Sequence, residues 1–228
     1  MMHATCIGRA LNGSMTRYDA SDEGCDNDGV SAARTAGRLA PLTHVLACGG
    51  TIGEWRAESL HGWRRYLGVL SRAVEESGAT WLTVVPFSSV GANADDVHLI
   101  LSVVREAIGG TIVGTRLSAA TSGGVIVIVD ACADGRERLV AAANALAPSM
   151  SIEEPVLAAS LYAPAPSDPD LVLVFGAPTR LPPSLVWELA YSEIVFLDSP
   201  WISCDVTHVH LAIDDFRRRE RRFGGVDL

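Results

Sequence analysis

Two hydrophobic periods run through this chain. From residue 43 onward, short apolar runs alternate with longer stretches whose apolar positions recur every three or four residues. The runs THVLAC, TWLTVVPF, TIVGTRL, GGVIVIVDA, PDLVLVFGA and IVFLDSP read as strands, most of them near-continuous in apolar or β-branched residues. Between them, Leu60–Gly78 carries Trp63, Tyr66, Leu67, Leu70, Ala73 and Val74 at helical spacing. ADDVHLILSVVREAIGG opens on acidic residues and closes on glycines, the polarity expected of a helix. DGRERLVAAANALA, SIEEPVLAASLY, LPPSLVWELAYSE and a terminal VTHVHLAIDDFRRRERRFGG, stopped by glycine, complete the helical set. Apolar strands alternating with helices predict an α/β fold: a mostly parallel central sheet with helices on both faces, in a single domain. That domain spans 43–228. Residues 1–42, rich in Asp, Gly, Ser and Ala and poor in large apolar residues, read as a flexible N-terminal extension.

Composition narrows the function classes. The chain has 228 residues, 48% hydrophobic and 20% charged, enough to bury a sizeable core. A net charge of −9 argues against a general nucleic-acid binder. Five scattered cysteines without a C-x-x-C pair fit a reduced, cytoplasmic protein. No apolar run reaches the roughly 18 residues of a membrane span. Peripheral contact with a membrane stays open.

The turn HVLACGGTIGEW, His44–Trp55, is the first candidate for chemistry. A strand ends in Gly49, Gly50 and Gly53 and a helix begins, at the carboxyl end of a strand where α/β sheets place their ligands. Backbone N–H groups there can cradle a phosphate. The turn is not a dinucleotide fingerprint, because Cys48 stands where the first glycine belongs, and no Gly-Lys-Ser/Thr follows for a P-loop. A tight strand-to-helix bend without ligand is the alternative. Further on, Cys204, Asp205, His208 and His210 are all zinc-competent residue types, but their spacing matches no common site. A helix entry capped by Asp205 or Thr207 reads better. The run RRRERRFGG, Arg217–Gly225, is either a solvated helix end or an anion site.

The C-terminal third carries a family resemblance. PDLVLVFGAPTRLPPSLVWELAYSEIVFLDSPW followed by IDDFRRRERRFGG resembles the cis-prenyltransferases, the undecaprenyl diphosphate synthase family. HVLACGGTIGEW falls on that family's His-Val plus Asp-Gly-Asn-Gly-Arg-Trp segment, TWLTVVPFSS on its Phe-Ser strand, and VDACADGRERLVAAANALA on its Asn-Tyr-Gly-Gly-Arg helix. The resemblance covers 43–225, with a shorter stretch near 111–123. It implies an enzyme that condenses an allylic diphosphate with isopentenyl diphosphate, using magnesium.

The family's functional residues carry over unevenly. Its metal-binding aspartate falls on Gly50, its asparagine on Ile52, and its allylic-diphosphate arginine on Glu54. Its histidine falls on Arg65, one arginine of the second diphosphate site on Val174, and its serine on Pro182. Gly53, Trp55, Arg180 and Glu193 match, as does the terminal Arg222-Phe223-Gly224, the family's Arg-x-Gly motif, which serves the neighbouring protomer's site. The candidate diphosphate contacts are then Gly50, Thr51 and Gly53, through the turn's N–H groups and the Thr51 hydroxyl, with Arg65 and Arg180, and with Arg222 and Gly224 of the motif that the resemblance supplies. Glu193, Glu54 and Asp130 are the candidate acids, and no metal ligand is assigned. Exchanging arginine for glutamate reverses an interaction of about 4 kcal/mol at a surface-like dielectric. One charge-assisted hydrogen bond, at about 1.5–3 kcal/mol, does not offset that.

Two readings follow. The first is a non-catalytic subunit, a homodimer or a heterodimer with an intact cis-prenyltransferase, completing the partner's site through the Arg-x-Gly motif; magnesium would then belong to the partner. The second is an altered terpenoid enzyme, a cyclase or unusual prenyltransferase, acting on an isoprenyl diphosphate.

Overall fold

A computed structural model describes residues 41–87, 92–146, 151–176 and 181–219. The 1–42 extension falls almost wholly outside them, and so do Arg180, Arg222 and Gly224. Among the described residues a seven-stranded sheet runs through the molecule in the order β3-β4-β5-β2-β1-β6-β7. Its strands are β1 (His44–Cys48), β2 (Trp81–Val85), β3 (Thr111–Val113), β4 (Arg116–Ala120), β5 (Ile126–Asp130), β6 (Leu171–Phe175) and β7 (Glu193–Leu197). The helices are α1 (Ile52–Ala57), α2 (Leu60–Glu76), α3 (Ala94–Ile108), α4 (Gly135–Ala145), α5 (Glu154–Tyr162), α6 (Glu188–Tyr191) and α7 (Val206–Arg218).

The central strands β5, β2, β1, β6 and β7 are parallel, and β3 and β4 add an antiparallel edge. Successive strand residues point to opposite faces, so each strand feeds two cores. Val45, Ala47, Leu82, Val84, Leu171 and Leu173 face α2, α3 and α7. Leu46, Cys48, Val85, Ile128, Val172 and Val174 pack with Ala142 of α4 and with Leu161 and Tyr162 of α5. Every residue of β1 and of β6 is buried, which explains their unbroken apolar character.

Capping side chains set the helix entries. Ser59 Oγ accepts from Gly62 N at 3.0 Å, Asn93 Oδ1 from Asp96 N at 2.8 Å, and Asp205 Oδ1 from His208 N at 2.9 Å. Asp205 thus caps α7, as its position suggests.

Three elements differ from the sequence expectation. TIVGTRL is not one strand: it folds back on itself through Gly114 (φ 58°) and Thr115, pairing Val113 with Arg116. A glycine in the left-handed region is what a two-residue hairpin requires. LPPSLVWELAYSE is helical only at Glu188–Tyr191, because Pro182 and Pro183 hold the preceding residues in turns. The terminal helix ends at Arg218, ahead of the glycines; Arg219 leaves the helix in an extended conformation (φ −73°, ψ 128°).

Candidate functional site

The glycine turn sits where the carboxyl ends of three strands are level. Cys48 pairs with Val85 on one side and with Val174 on the other. The turn then stays tied to β2: Gly49 N donates to Val85 O at 3.1 Å, and Phe87 N to Gly50 O at 2.6 Å. Gly50 takes φ 71°, a conformation that glycine adopts without strain. Thr51 caps α1, accepting from Glu54 N at 3.2 Å. In return the Glu54 carboxylate accepts from Thr51 N at 2.7 Å and from Thr51 Oγ1 at 3.0 Å, closing a capping box. The glutamate on the family's arginine position is therefore engaged locally, in the helix cap. Its carboxylate already holds the Thr51 amide that a phosphate would need.

A cluster of aromatic rings lies against this turn. Trp201 stands in a short 3-10 turn, Trp201–Ser203, and packs against Tyr66 (4.9 Å between ring centroids), Trp63 (5.4 Å) and Trp55 (6.3 Å). Tyr66 in turn meets Phe175 at the end of β6. A β-carbon built on Gly50 would lie 2.7 Å from Trp201 Nε1 and 2.8 Å from Trp55 Cδ1; one on Gly49 would lie 2.7 Å from Trp201 Cβ. Trp55 Nε1 donates to Gly49 O at 2.8 Å, and Arg65 donates to Ile202 O, holding the 3-10 turn in place. The Trp63 indole N–H and the Tyr66 hydroxyl are buried here without a hydrogen-bond partner among the described residues.

The sequence candidates divide between the two ends of the sheet. Gly50, Thr51, Gly53 and, through Ile202, Arg65 come together at the carboxyl end. Glu193 opens β7 level with Leu171, which pairs with Val45, so it lies at the opposite end of the strands, roughly 10–15 Å away. It meets Arg219 at 3.5 Å. Asp130 ends β5 on the same side as the glycine turn, but its oxygens accept from Arg116 Nε (2.8 Å), Thr115 Oγ1 (3.0 Å) and Cys132 N (3.0 Å). Magnesium, which the resemblance implies, does not fit at the turn. Gly50 offers no ligand, Trp201 fills the space beside it, and the Glu54 carboxylate is engaged. Among the described residues no three His, Cys, Asp or Glu side chains are grouped to hold a metal ion. Among the described residues the thiols are poor nucleophiles: burial pushes Cys48 and Cys204 up to about 12 and Cys132 up to about 11.

Sequence reasoning missed a buried polar network behind the sheet. Arg138 of α4 reaches Glu188 of α6 at 2.9 Å and Ser184 O at 2.9 Å, with Asp130 at 3.5 Å. Tyr162 donates to the same Glu188 oxygen at 2.7 Å. Arg138, Glu188 and Asp130 are each at most 2% exposed. Nothing in the periodicity marks these residues as partners, since they come from three different helices and a strand. Trp201 was legible only as one letter of the family-like stretch.

A family model described as "Putative undecaprenyl diphosphate synthase" matches residues 96–224, more than half of the chain. Isoprenyl transferase 2 of Bradyrhizobium diazoefficiens is 43% identical over 76 residues, covering 33% of this chain and 30% of that protein. A ditrans,polycis-undecaprenyl-diphosphate synthase ((2E,6E)-farnesyl-diphosphate specific) of Xanthomonas axonopodis pv. citri is 32% identical over 119 residues, covering 49% of this chain and 46% of that protein. The matches thus span less than half the length of these curated relatives. Among solved structures, lavandulyl diphosphate synthase from Lavandula x intermedia, in complex with dimethylallyl diphosphate, superposes with a TM-score of 0.56 at 19% identity, covering 80% of this chain and 98% of that one. A probable undecaprenyl diphosphate synthase from Campylobacter jejuni gives 0.55 at 18% identity, covering 82% of this chain and all of that one. These two show the same fold. The family model, which spans more than half of the chain, shows the family: this chain belongs to the undecaprenyl diphosphate synthase family of cis-prenyltransferases.

Proposed function

We propose that this chain is a cis-prenyltransferase-like protein of isoprenoid biosynthesis that does not elongate prenyl chains by itself. It serves as the non-catalytic subunit of a prenyltransferase, completing a partner's site through Arg222-Phe223-Gly224. One observation carries the reading. The space beside Gly50, where the family's metal-binding aspartate falls, is filled by the Trp201 indole at 2.7 Å from any β-carbon there. The Glu54 carboxylate bound to Thr51 N supports it, because a second anion would meet repulsion of order 1–4 kcal/mol there.

The test is co-expression with an intact homologue of the same genome, then co-purification and a prenyl-transfer assay. The pair is expected to incorporate isopentenyl diphosphate with magnesium, and this chain alone to incorporate none. Arg222→Ala in this chain is expected to weaken the partner's isopentenyl diphosphate binding roughly ten- to a hundred-fold, the loss of one charge-assisted phosphate contact. Arg217→Ala is the control and is expected to cost the partner little: its guanidinium is turned to its own chain, donating to Ser77 O just past the end of α2. Magnesium-dependent elongation by the homogeneous chain overturns the proposal. Conversion of an isoprenyl diphosphate to another product by the chain alone favours an altered enzyme instead.

A further inference from the structure

A second concavity lies on the other face of the sheet from the aromatic cluster. The β3–β4 hairpin, α4 and the end of α5 enclose a cleft of about 710 Å³. Its walls are Val113, Ala141, Ala145 and Pro164, and its floor is Arg116, Asp130 and Arg138. The cleft exists because α4 turns alanines toward it: Ala141, Ala142 and Ala145 leave unfilled the space that larger side chains would occupy. Size and lining are those of small-molecule sites, mostly apolar with a few convergent polar groups.

The floor decides the chemical class. Arg116 is paired with Asp130 at 2.8 Å and Arg138 with Glu188 at 2.9 Å, while Glu137 stands among the lining residues. Each guanidinium is already neutralised, so the cleft carries no uncompensated positive charge for a phosphate or diphosphate. Hydrogen-bonding capacity nevertheless remains. Arg138 is 2% exposed, and its Nε, 3.5 Å from Asp130 Oδ2, makes no hydrogen bond among the described residues. Beside its Nε bond to Asp130, Arg116 makes long contacts of 3.4–3.5 Å from Nη1 to Ala163 O and Ser160 O. A buried donor left in this state favours an acceptor brought by a ligand.

We propose that this cleft binds an uncharged small molecule with an apolar body and one hydrogen-bond-accepting oxygen, the oxygen meeting the Arg116–Arg138 floor and the body lying along the alanine face of α4. The site is separate from the glycine turn and does not rest on the subunit role proposed above.

Three probes separate the contributions of body, oxygen and charge. Farnesol has the apolar body and one oxygen, farnesyl diphosphate has the same body with a polyanion, and dodecane has no oxygen. Binding is followed by amide chemical shifts in the full chain, and affinities come from the titration. Farnesol is expected to shift the amides of Val113, Arg116, Ala141 and Ala145 with a dissociation constant of roughly 1–100 µM. Dodecane and farnesyl diphosphate are each expected to bind the cleft at least about tenfold more weakly. Ala145→Phe and Ala141→Phe lie on the exposed edge of α4, leave the core intact, and are each expected to weaken farnesol at least about tenfold by filling the cleft. Shifts confined to other regions, an unchanged affinity in both variants, or tighter binding of the diphosphate at these amides overturns the proposal.

Discussion

The Trp201 indole occupies the place where a side chain on Gly50 would begin: Nε1 lies 2.7 Å and Cε2 2.8 Å from a β-carbon at Gly50. Gly50 and Trp201 are more than a hundred residues apart in sequence, yet each constrains the other. The glycine takes φ 71° and presents no side chain, and the indole fills the room this leaves.

Restoring the family's aspartate therefore does not restore a metal site. Gly50→Asp places a side chain in the left-handed region against two indoles. We expect it to lower stability by about 1–3 kcal/mol through backbone strain and overpacking, and to produce no magnesium-dependent elongation. Urea unfolding and a prenyl-transfer assay on the purified variant check both halves. An active, equally stable Gly50→Asp protein contradicts the account of the turn.

Two buried tyrosines are expected to respond oppositely to loss of their hydroxyls. Tyr66 OH is buried without a partner among the described residues, so Tyr66→Phe removes an unsatisfied group. It should leave stability unchanged or raise it by about 1 kcal/mol. Tyr162 OH donates to Glu188 Oε1 at 2.7 Å inside the Arg138 network. Tyr162→Phe should cost about 1.5–3 kcal/mol, the value of a hydrogen bond to a charged group. Denaturant midpoints of the two variants, measured side by side, decide it; equal losses contradict the assignment.

The two sites differ in how far the sequence disclosed them. The strands were legible because β1 and β6 are buried on both faces, which leaves almost no polar residue in them. Long amphipathic helices such as α2 were legible for the complementary reason: one face is buried and the other is not. The hairpin at Gly114 was missed because three-residue β3 is too short for a period to show. The turns at Pro182–Trp187 were hidden by apolar spacing that mimics a helix. At the glycine turn, residue types alone left cradle and bend equally open. What the residue types could not show is Trp201, which tertiary packing brings from the far end of the chain to lie beside Gly50. The cleft beside α4 was invisible for a different reason: a run of alanines reads as a good helix, and only the fold shows that no described residue fills the space beside it.

His44 gives a pH dependence of stability. Its ring is fully buried, with Nδ1–H donating to Ser167 O at 2.8 Å and Nε2 accepting from the Thr83 hydroxyl at 2.8 Å. Burial, which penalises the charged ring, brings its pKa down from the ordinary 6.5 to about 4, against smaller opposing effects of Ser167, Asp170 and Glu188. Between those values the unfolded chain binds the proton and the folded one does not. The stabilisation is thus complete above pH 6.5 and is lost as the pH falls toward 4, about 3 kcal/mol in all. Unfolding free energies measured from pH 7.5 down to 4.5 should fall by about 1.4 kcal/mol per pH unit within the window. His44→Gln should lower stability at pH 7 and flatten that slope. A slope unchanged in the variant assigns the pH dependence to other groups.

Glu54 tests whether charge alone silences the glycine turn. Its carboxylate accepts from Thr51 N at 2.7 Å and Thr51 Oγ1 at 3.0 Å, and its own amide donates to Thr51 Oγ1 at 3.2 Å. Glu54→Ala breaks the reciprocal half of this capping box and should cost about 0.5–2 kcal/mol. The same change removes the negative charge and frees the Thr51 amide, so a latent anion cradle would now bind inorganic pyrophosphate. No such gain is expected. Helix α1 has only six residues, too few to align a substantial dipole, and the indole still covers Gly50. Titration of Glu54→Ala with pyrophosphate, read on the amides of Thr51 to Gly53, should show no saturable shift up to millimolar concentration. Saturation at micromolar pyrophosphate means that the carboxylate, and not the packing of Trp201, is what keeps the turn from acting as a phosphate site.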